Sequence, residues 1–260
     1  MIDRENLFSG TASYYAKYRL PYPSKVFEEI ITEYQTGGSG NMLDLGCGTG
    51  EVIVPLAGYF DKAYGIDINA EMLEKARERA EEAGLTNVVW KQASAEMIED
   101  SDLQYDLVTA GNSFHWMDRE MVLRMSYNVL TDNGGMVILA GGSVWNGESE
   151  WQNKTVDVIQ RYLGVTRRAG SSTYKEEKPH EEVISASPFT LTKMFDVVSE
   201  HTRSIDEILG YLFSTSFCKA SLFGSKVDEF KAELTKELLL LNPEGIFKER
   251  METTCFFLRK

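Results

Sequence analysis

The chain has 260 residues, 43% of them hydrophobic, and carries 40 acidic against 27 basic side chains for a net charge of −13. That length suits one large α/β domain, or a domain with a sizeable insertion, and buries enough surface to fold without disulfides or a structural metal. The acid excess repels a phosphate backbone and the basic residues do not cluster, which argues against a nucleic-acid partner.

Cys47, Cys218 and Cys255 are odd in number and lack CxxC or Cys/His spacing, so they are read as reduced thiols of a cytoplasmic protein, with no metal among the expected ligands. The opening residues MIDRENLFSG show no basic stretch followed by an apolar run. Nowhere do about eighteen uncharged apolar residues follow one another. Neither secretion nor a membrane span is expected.

Pro23 and Ser24, with Ser24 as N-cap, open a helix over 23–35 whose Val26, Phe27, Ile30, Ile31 and Tyr34 share one face. A GGSG run at 37–40 breaks it. Then strands and helices alternate: MLDL at 42–45 is a strand, 50–60 a helix with Pro55 inside it, AYGIDI at 63–68 a strand. The helix over 69–83 buries Met72, Leu73, Ala76 and Ala80 and stops at Gly84. NVVWKQAS at 87–94 and YDLVTAG at 105–111 read as buried strands, 118–130 as a helix and GGMVILAGG at 134–142 as a strand. Such alternation implies right-handed crossovers and a mostly parallel sheet covered on both faces, so residues 1–142 form a doubly wound α/β unit.

Beyond Ser143, residues Trp151, Val158, Ile159, Tyr162 and Leu163 mark an amphipathic helix. The polar stretch 165–190 is expected to be a lid or binding loop. Regular pattern returns at 194–202, in helices near 205–213 and 226–241, and in TTCFFL at 253–258. The expected organisation is an N-terminal lid segment and core over 1–142, a cap insertion over 143–193, and 194–260 completing the core sheet. His180 and His201 lack partners at metal spacing and are read as surface residues.

The sharpest local signal is DLGCGTGE at 44–51, between a strand and a helix. Glycines there permit positive φ and let a ligand approach outward-facing amides. A dinucleotide turn would read GxGxxG. Here the spacing is GxGxG, and Glu51 stands where a pyrophosphate would bind, so the ligand is expected to be an adenosine compound without phosphate. Asp67, at the end of the second strand, is placed to accept hydrogen bonds from both ribose hydroxyls.

At this point the chain resembles a family. MLDLGCGTGEV, YGIDIN, SAEM at 94–97, FHWMD at 114–118 and VLTDNGGMVIL at 129–139 look like the successive motifs of class I S-adenosylmethionine-dependent methyltransferases. FSGTASYYAKYRLPYP at 8–23, with FHW, is similar to the methyltransferase type 11, trans-aconitate methyltransferase-like branch acting on small molecules. The resemblance implies a Rossmann-like, mostly parallel seven-stranded sheet with a cap after the fifth strand, and S-adenosyl-L-methionine as cofactor. It implies Asp44 beside the methionine ammonium and Gly46, Cys47 and Gly48 under the methionine portion, with the Cys47 amide facing the cofactor. Ser94, Ala95 and Glu96 would line the adenine, with Ile68 and Asn112 also at the cofactor. Three positions depart from the usual pattern: Ser94 where Asp is common, so that the Ala95 backbone could serve instead, Asn133 where Pro precedes the paired glycines, and Leu20 where Pro follows Arg19.

Tyr14, Tyr18 and Arg19 are candidates for cofactor or substrate, because a guanidinium forks onto a carboxylate; the competing reading of the tyrosines is apolar cover of a helix. His115, Trp116 and Trp145 are substrate candidates, His115 also as a base, with structural roles for His115 and Trp116 as the alternatives. The expected reaction is in-line transfer of a methyl group to a small-molecule acceptor, with a carboxylate in view, the N-terminal segment and 143–190 closing over it. A nicotinamide oxidoreductase and a cofactor-binding protein without activity are the competitors. Oligomeric state is not encoded in any pattern here.

Overall fold

The apolar strand runs assemble, in a computed structural model describing residues 6–98, 103–170, 172–174 and 178–260, into one sheet. Its strands are β1 (Asn41–Leu45), β2 (Lys62–Asp67), β3 (Val88–Gln92), β4 (Tyr105–Gly111), β5 (Leu130–Gly141), β8 (Thr190–Ser204) and β9 (Ile246–Arg259), in the order β3-β2-β1-β4-β5-β9-β8. A hairpin of β6 (Arg168–Ala169) and β7 (Ser172–Thr173) stands apart. The pairs β1–β2, β2–β3, β1–β4 and β4–β5 are all parallel. This is the seven-stranded, Rossmann-like α/β fold that the motifs imply.

The helices are α1 (Ala12–Tyr18), α2 (Ser24–Tyr34), α3 (Ile53–Ala57), α4 (Ala70–Glu82), α5 (Arg119–Val129), α6 (Glu150–Leu163), α7 (His180–Ser185), α8 (Ile205–Phe213) and α9 (Val227–Leu241). Residues divide into two units along lines different from a cut at 142 and 193. An α/β unit comprises Pro21–Ala140, Glu176–Val197 and Thr253–Lys260; a helical unit comprises Met1–Leu20, Gly141–Lys175 and Val198–Glu252.

In the α/β unit, alternate strand residues feed two cores, as the period of two requires. Met42, Leu107 and Val137 pack with Val26, Ile30, Ile53 and Leu56, whereas Leu43, Val108 and Ile138 pack with Val122 and Leu123. In the helical unit, α6, α8 and α9 share a core of Trp151, Val158, Ile159, Ile208, Leu212, Phe230 and Leu234. There α1 lies so close on α8 that a Cβ at Gly210 would fall 2.3 Å from the Tyr18 ring.

Local readings fare unevenly. Asn69 caps α4 by accepting from the amides of Glu71 and Met72, and Met72, Leu73, Ala76 and Ala80 are buried. Ser24 is the first helical residue and Pro23 the cap. The helix expected over 50–60 shrinks to α3, which puts Pro55 in its first turn, where no intrahelical donor is lost. β3 is not a buried strand: it is the sheet edge, and its residues are exposed or half-buried. His180 is not a surface residue either. Its ring lies 5.3 Å from Phe114 and 5.9 Å from Phe256, and Nδ1 accepts from Arg119 Nη1 at 3.2 Å; burial, then the Arg119 charge, hold its pKa below the ordinary value. The polar 165–190 stretch contains β6, β7 and α7 among its described residues; positions 171 and 175–177 lie outside them.

Candidate functional site

From β1 the chain winds outward through β2 and β3, and from β4 it winds the other way to β5. Carboxyl ends of two such neighbouring strands open a crevice, the usual ligand position in an open α/β sheet. The loops after β1 and β4 meet there: Ser113 Oγ donates to the Leu45 carbonyl at 2.7 Å. Gly46 has φ +61°, and a Cβ on it would sit 2.7 Å from Ser113 Cβ, so the approach of the two loops requires glycine. Gly48 also has positive φ, +55°, and its amide donates to Asp67 Oδ2 at 2.8 Å, which ties the turn to the end of β2.

Three acids surround this turn. Asp44 is 1% exposed; its Oδ1 accepts from Thr109 Oγ1 at 2.7 Å, while Oδ2 is buried without a hydrogen-bond partner among the described residues. Burial pushes its pKa up to about 7, against the Thr109 hydrogen bond and with help from Glu51 and Asp67. A carboxylate left so is a ready counter-ion for an ammonium group. Asp67 accepts from Gly48 N and from Asn69 N at 2.8 Å each, which fixes its orientation and leaves a lone pair on each oxygen. Its pKa is also raised by burial, offset in part by those two amides. Glu51 pairs with Arg79 at 2.8 Å and accepts from Thr49. The negative charge expected to repel a phosphate at this position is therefore partly compensated.

The Cys47 amide donates to the Ile66 carbonyl at 3.0 Å, continuing the β1–β2 ladder by one residue. It does not face a ligand, contrary to the sequence reading. Its thiol is buried and its pKa raised well above the ordinary value by burial, as suits an inert small side chain.

Residues after β2 and β3 form the other wall. The Ile68 carbonyl accepts from Gln92 Nε2 at 3.1 Å, and Ala95 is buried. Ser94 donates to Glu96, whose second oxygen accepts from the Asp118 amide at 2.7 Å; the hydroxyl at the adenine position is thus engaged within its own turn. Asn112 adopts left-handed φ, +50°, and its amide donates to Leu139 O. His115 and Trp116 follow in a single 3₁₀ turn, half-buried, with rings 4.7 Å apart. A Cβ at Gly111 would meet the Tyr22 hydroxyl at 2.9 Å, so Tyr22 also reaches the carboxyl end of β4.

Four predicted residues belong to the helical unit. Tyr14 and Tyr18 stack with centroids 6.2 Å apart, and Tyr14 also meets Phe213. Arg19 Nε donates to Ser214 Oγ at 2.9 Å, and its guanidinium lies over Tyr15 and Tyr211. Trp145 packs edge-on against Phe217.

Residues 42–134 match the family described as a methyltransferase domain. The protein is an S-adenosylmethionine-dependent methyltransferase, similar to the proteins that follow. It is 29% identical to an uncharacterized methyltransferase-like protein of Schizosaccharomyces pombe over 62% of this chain and 60% of that one. An uncharacterized methyltransferase of Mycobacterium tuberculosis is 24% identical over 92% of this chain and 90% of its own. The fold matches the structure of a methyltransferase from Geobacter sulfurreducens solved with S-adenosyl-L-homocysteine, at TM-score 0.56 and 18% identity, covering 99% of each chain.

The methyltransferase therefore takes S-adenosyl-L-methionine as cofactor, and the chain's own residues fit it: a buried carboxylate oxygen at Asp44 unpartnered among the described residues, a turn with glycine at 46, 48 and 50, and an oriented acid at Asp67. Sequence reasoning missed Thr109, Ser113, Tyr22 and Arg79. Their contacts join residues from 28 to 89 positions apart, and no local spacing signals them.

Proposed function

We propose that this enzyme methylates a small-molecule acceptor in the cytoplasm, and that the acceptor is a carboxylic acid. The observation that carries the cofactor half of this reading is the orphaned Oδ2 of Asp44 beneath the glycine turn, since a buried acid without a partner is costly unless a ligand cation completes it. Asp44 would hold the methionine ammonium, Gly46 and Gly48 would admit the methionine portion, and Asp67 would accept from the ribose hydroxyls. Ile68, Ser94, Ala95 and Glu96 would bound the adenine. When bound, the cofactor supplies a methyl group made electrophilic by its sulfonium.

Alignment and exclusion of water are then the protein's main contributions. A carboxylate acceptor carries no proton to remove, so His115 donates a hydrogen bond or fills space rather than acting as base. The trans-aconitate methyltransferase-like resemblance supports a carboxylate. The acid excess argues against a nucleic acid as acceptor. Three buried free thiols suit a reducing compartment, and no helix among the described residues is long and apolar enough to cross a membrane.

Calorimetry with S-adenosylhomocysteine and NAD tests the cofactor half: tight binding of the first and none of the second is expected, and the reverse would transfer the protein to the nicotinamide enzymes. Turnover with labelled S-adenosylmethionine across a panel of small acids, alcohols and amines tests the acceptor. Methylation of an amine in preference to every acid would overturn the carboxylate reading.

A further inference from the structure

The helical unit of this acidic protein gathers positive charge on half-buried Arg19 and Arg167 and on buried Arg203. The guanidinium carbons of Arg19 and Arg203 lie 5.1 and 4.9 Å from the centroid of Tyr211. Arg167 is near enough for Tyr211 to influence its charge, and its own head is stacked on Tyr174 at 4.3 Å and Phe217 at 5.2 Å. Arg203 is ion-paired with Glu249. No carboxylate among the described residues pairs with Arg19 or Arg167.

Arg167 is the less satisfied of the two. Its Nε is buried with no hydrogen-bond partner among the described residues, and Trp145, which packs edge-on against the same Phe217 at 5.9 Å, has an indole Nε1 in the same condition. Burial holds the Arg167 pKa below its ordinary value, the direction expected of a cation lacking an anion. The hairpin keeps it there: Tyr174 N donates to the Arg167 carbonyl at 2.8 Å, which sets the stacked ring directly across the strand pair. Unpaired buried donors are rare in native structures and call for a specific cause.

We propose that Arg167, stacked on Tyr174 and Phe217 with Trp145 against the same Phe217, binds a carboxylate of a small-molecule anion. The Nε and one Nη offer a side-on fork, whose spacing matches the two oxygens of a carboxylate and which gives the orphaned Nε its acceptor. A single negative charge balances the single guanidinium, whereas a phosphate dianion would leave excess charge in a partly dry, aromatic surrounding. The proposal rests on the small-molecule carboxylate reading above and places its anion recognition at Arg167, which no motif in the sequence marks.

The test uses the full chain, succinate as the probe, succinamide as its neutral counterpart and inorganic phosphate as the competing anion. Side-chain N–H resonances of Arg167 and Trp145, assigned from the spectra of Arg167→Lys and Trp145→Phe, report binding. Succinate should move both saturably, with affinity at least tenfold weaker in Arg167→Gln and partly restored in Arg167→Lys, while succinamide moves neither. Resonances unmoved up to about 20 mM succinate, equal affinity in Arg167→Gln, or tighter binding of phosphate would each overturn the proposal. Should Arg167→Gln fail to fold, Trp145→Phe serves, with the Arg167 resonance as reporter and the same outcomes. S-adenosylhomocysteine titrated into the wild type checks the other reading separately: its failure to bind sinks the methyltransferase site and leaves the succinate result untouched.

Discussion

The two units leave opposite charges unmatched in their interiors. In the α/β unit the surplus is negative: Asp44 lies 1% exposed with one oxygen unpartnered, beside Asp67 and the Arg79-paired Glu51. In the helical unit it is positive, with Arg203 answered by Glu249 and with Arg19 and Arg167 resting on aromatic rings. A buried charge without a partner destabilises the protein that carries it, so its persistence marks a place where a ligand of opposite sign completes the structure. The acid side is proposed to face a cofactor that carries an ammonium and a sulfonium. The basic side is assigned an anionic small molecule.

The largest effect should come from Asp44→Asn, which removes the surplus from the α/β unit. It is expected to weaken S-adenosylhomocysteine binding by about 2–5 kcal/mol, the range for removing one member of a buried charged pair. The same change should stabilise the free protein. The folded pKa of Asp44, about 7, lies above its ordinary 3.8, so the native state retains a proton that the unfolded chain releases, and stability drops as pH rises between those values. Thermal unfolding should show the variant about 1–3 kcal/mol more stable at pH 8 and little different near pH 4. Weakened binding together with lowered stability at pH 8 would mean that Asp44 is a structural acid.

Asp67→Ala should cost roughly 1–3 kcal/mol of S-adenosylhomocysteine affinity through lost charged hydrogen bonds. Calorimetry on a folded variant with unchanged affinity would remove Asp67 from the site. Smaller again is the effect of acidification. As Asp44 takes up its proton, wild-type affinity should fall up to about tenfold from pH 8 to pH 6, and the slope should be absent in Asp44→Asn. A slope that survives in the variant assigns the titration to another group. Smallest is His115→Gln, which should leave most turnover on an acid substrate; a loss of about a thousandfold at intact cofactor affinity would instead identify a general base.

The sequence by itself determined the alternation of strands and helices from β1 to β5, the glycine turn and the presence of acids at 44 and 67, because each is a local matter: a period of two or of 3.6, a turn that tolerates positive φ, a helix that stops at Gly84. Only the tertiary structure decided the rest. Whether NVVWKQAS is a buried strand or an edge depends on which strands flank it, and no strand among the described residues does on one side of β3. Whether Cys47 presents its amide depends on Ile66 across the ladder, whether Glu51 bears an unshielded charge depends on Arg79 two elements later, and whether His180 is exposed depends on Phe114 and Phe256. Arg19 and Arg167 read alike along the chain, both beside aromatic or polar residues. The Nε of one finds Ser214 and that of the other finds no acceptor among the described residues, a difference set by residues brought together from distant stretches of chain, which hydrogen bonding senses in space and periodicity does not record.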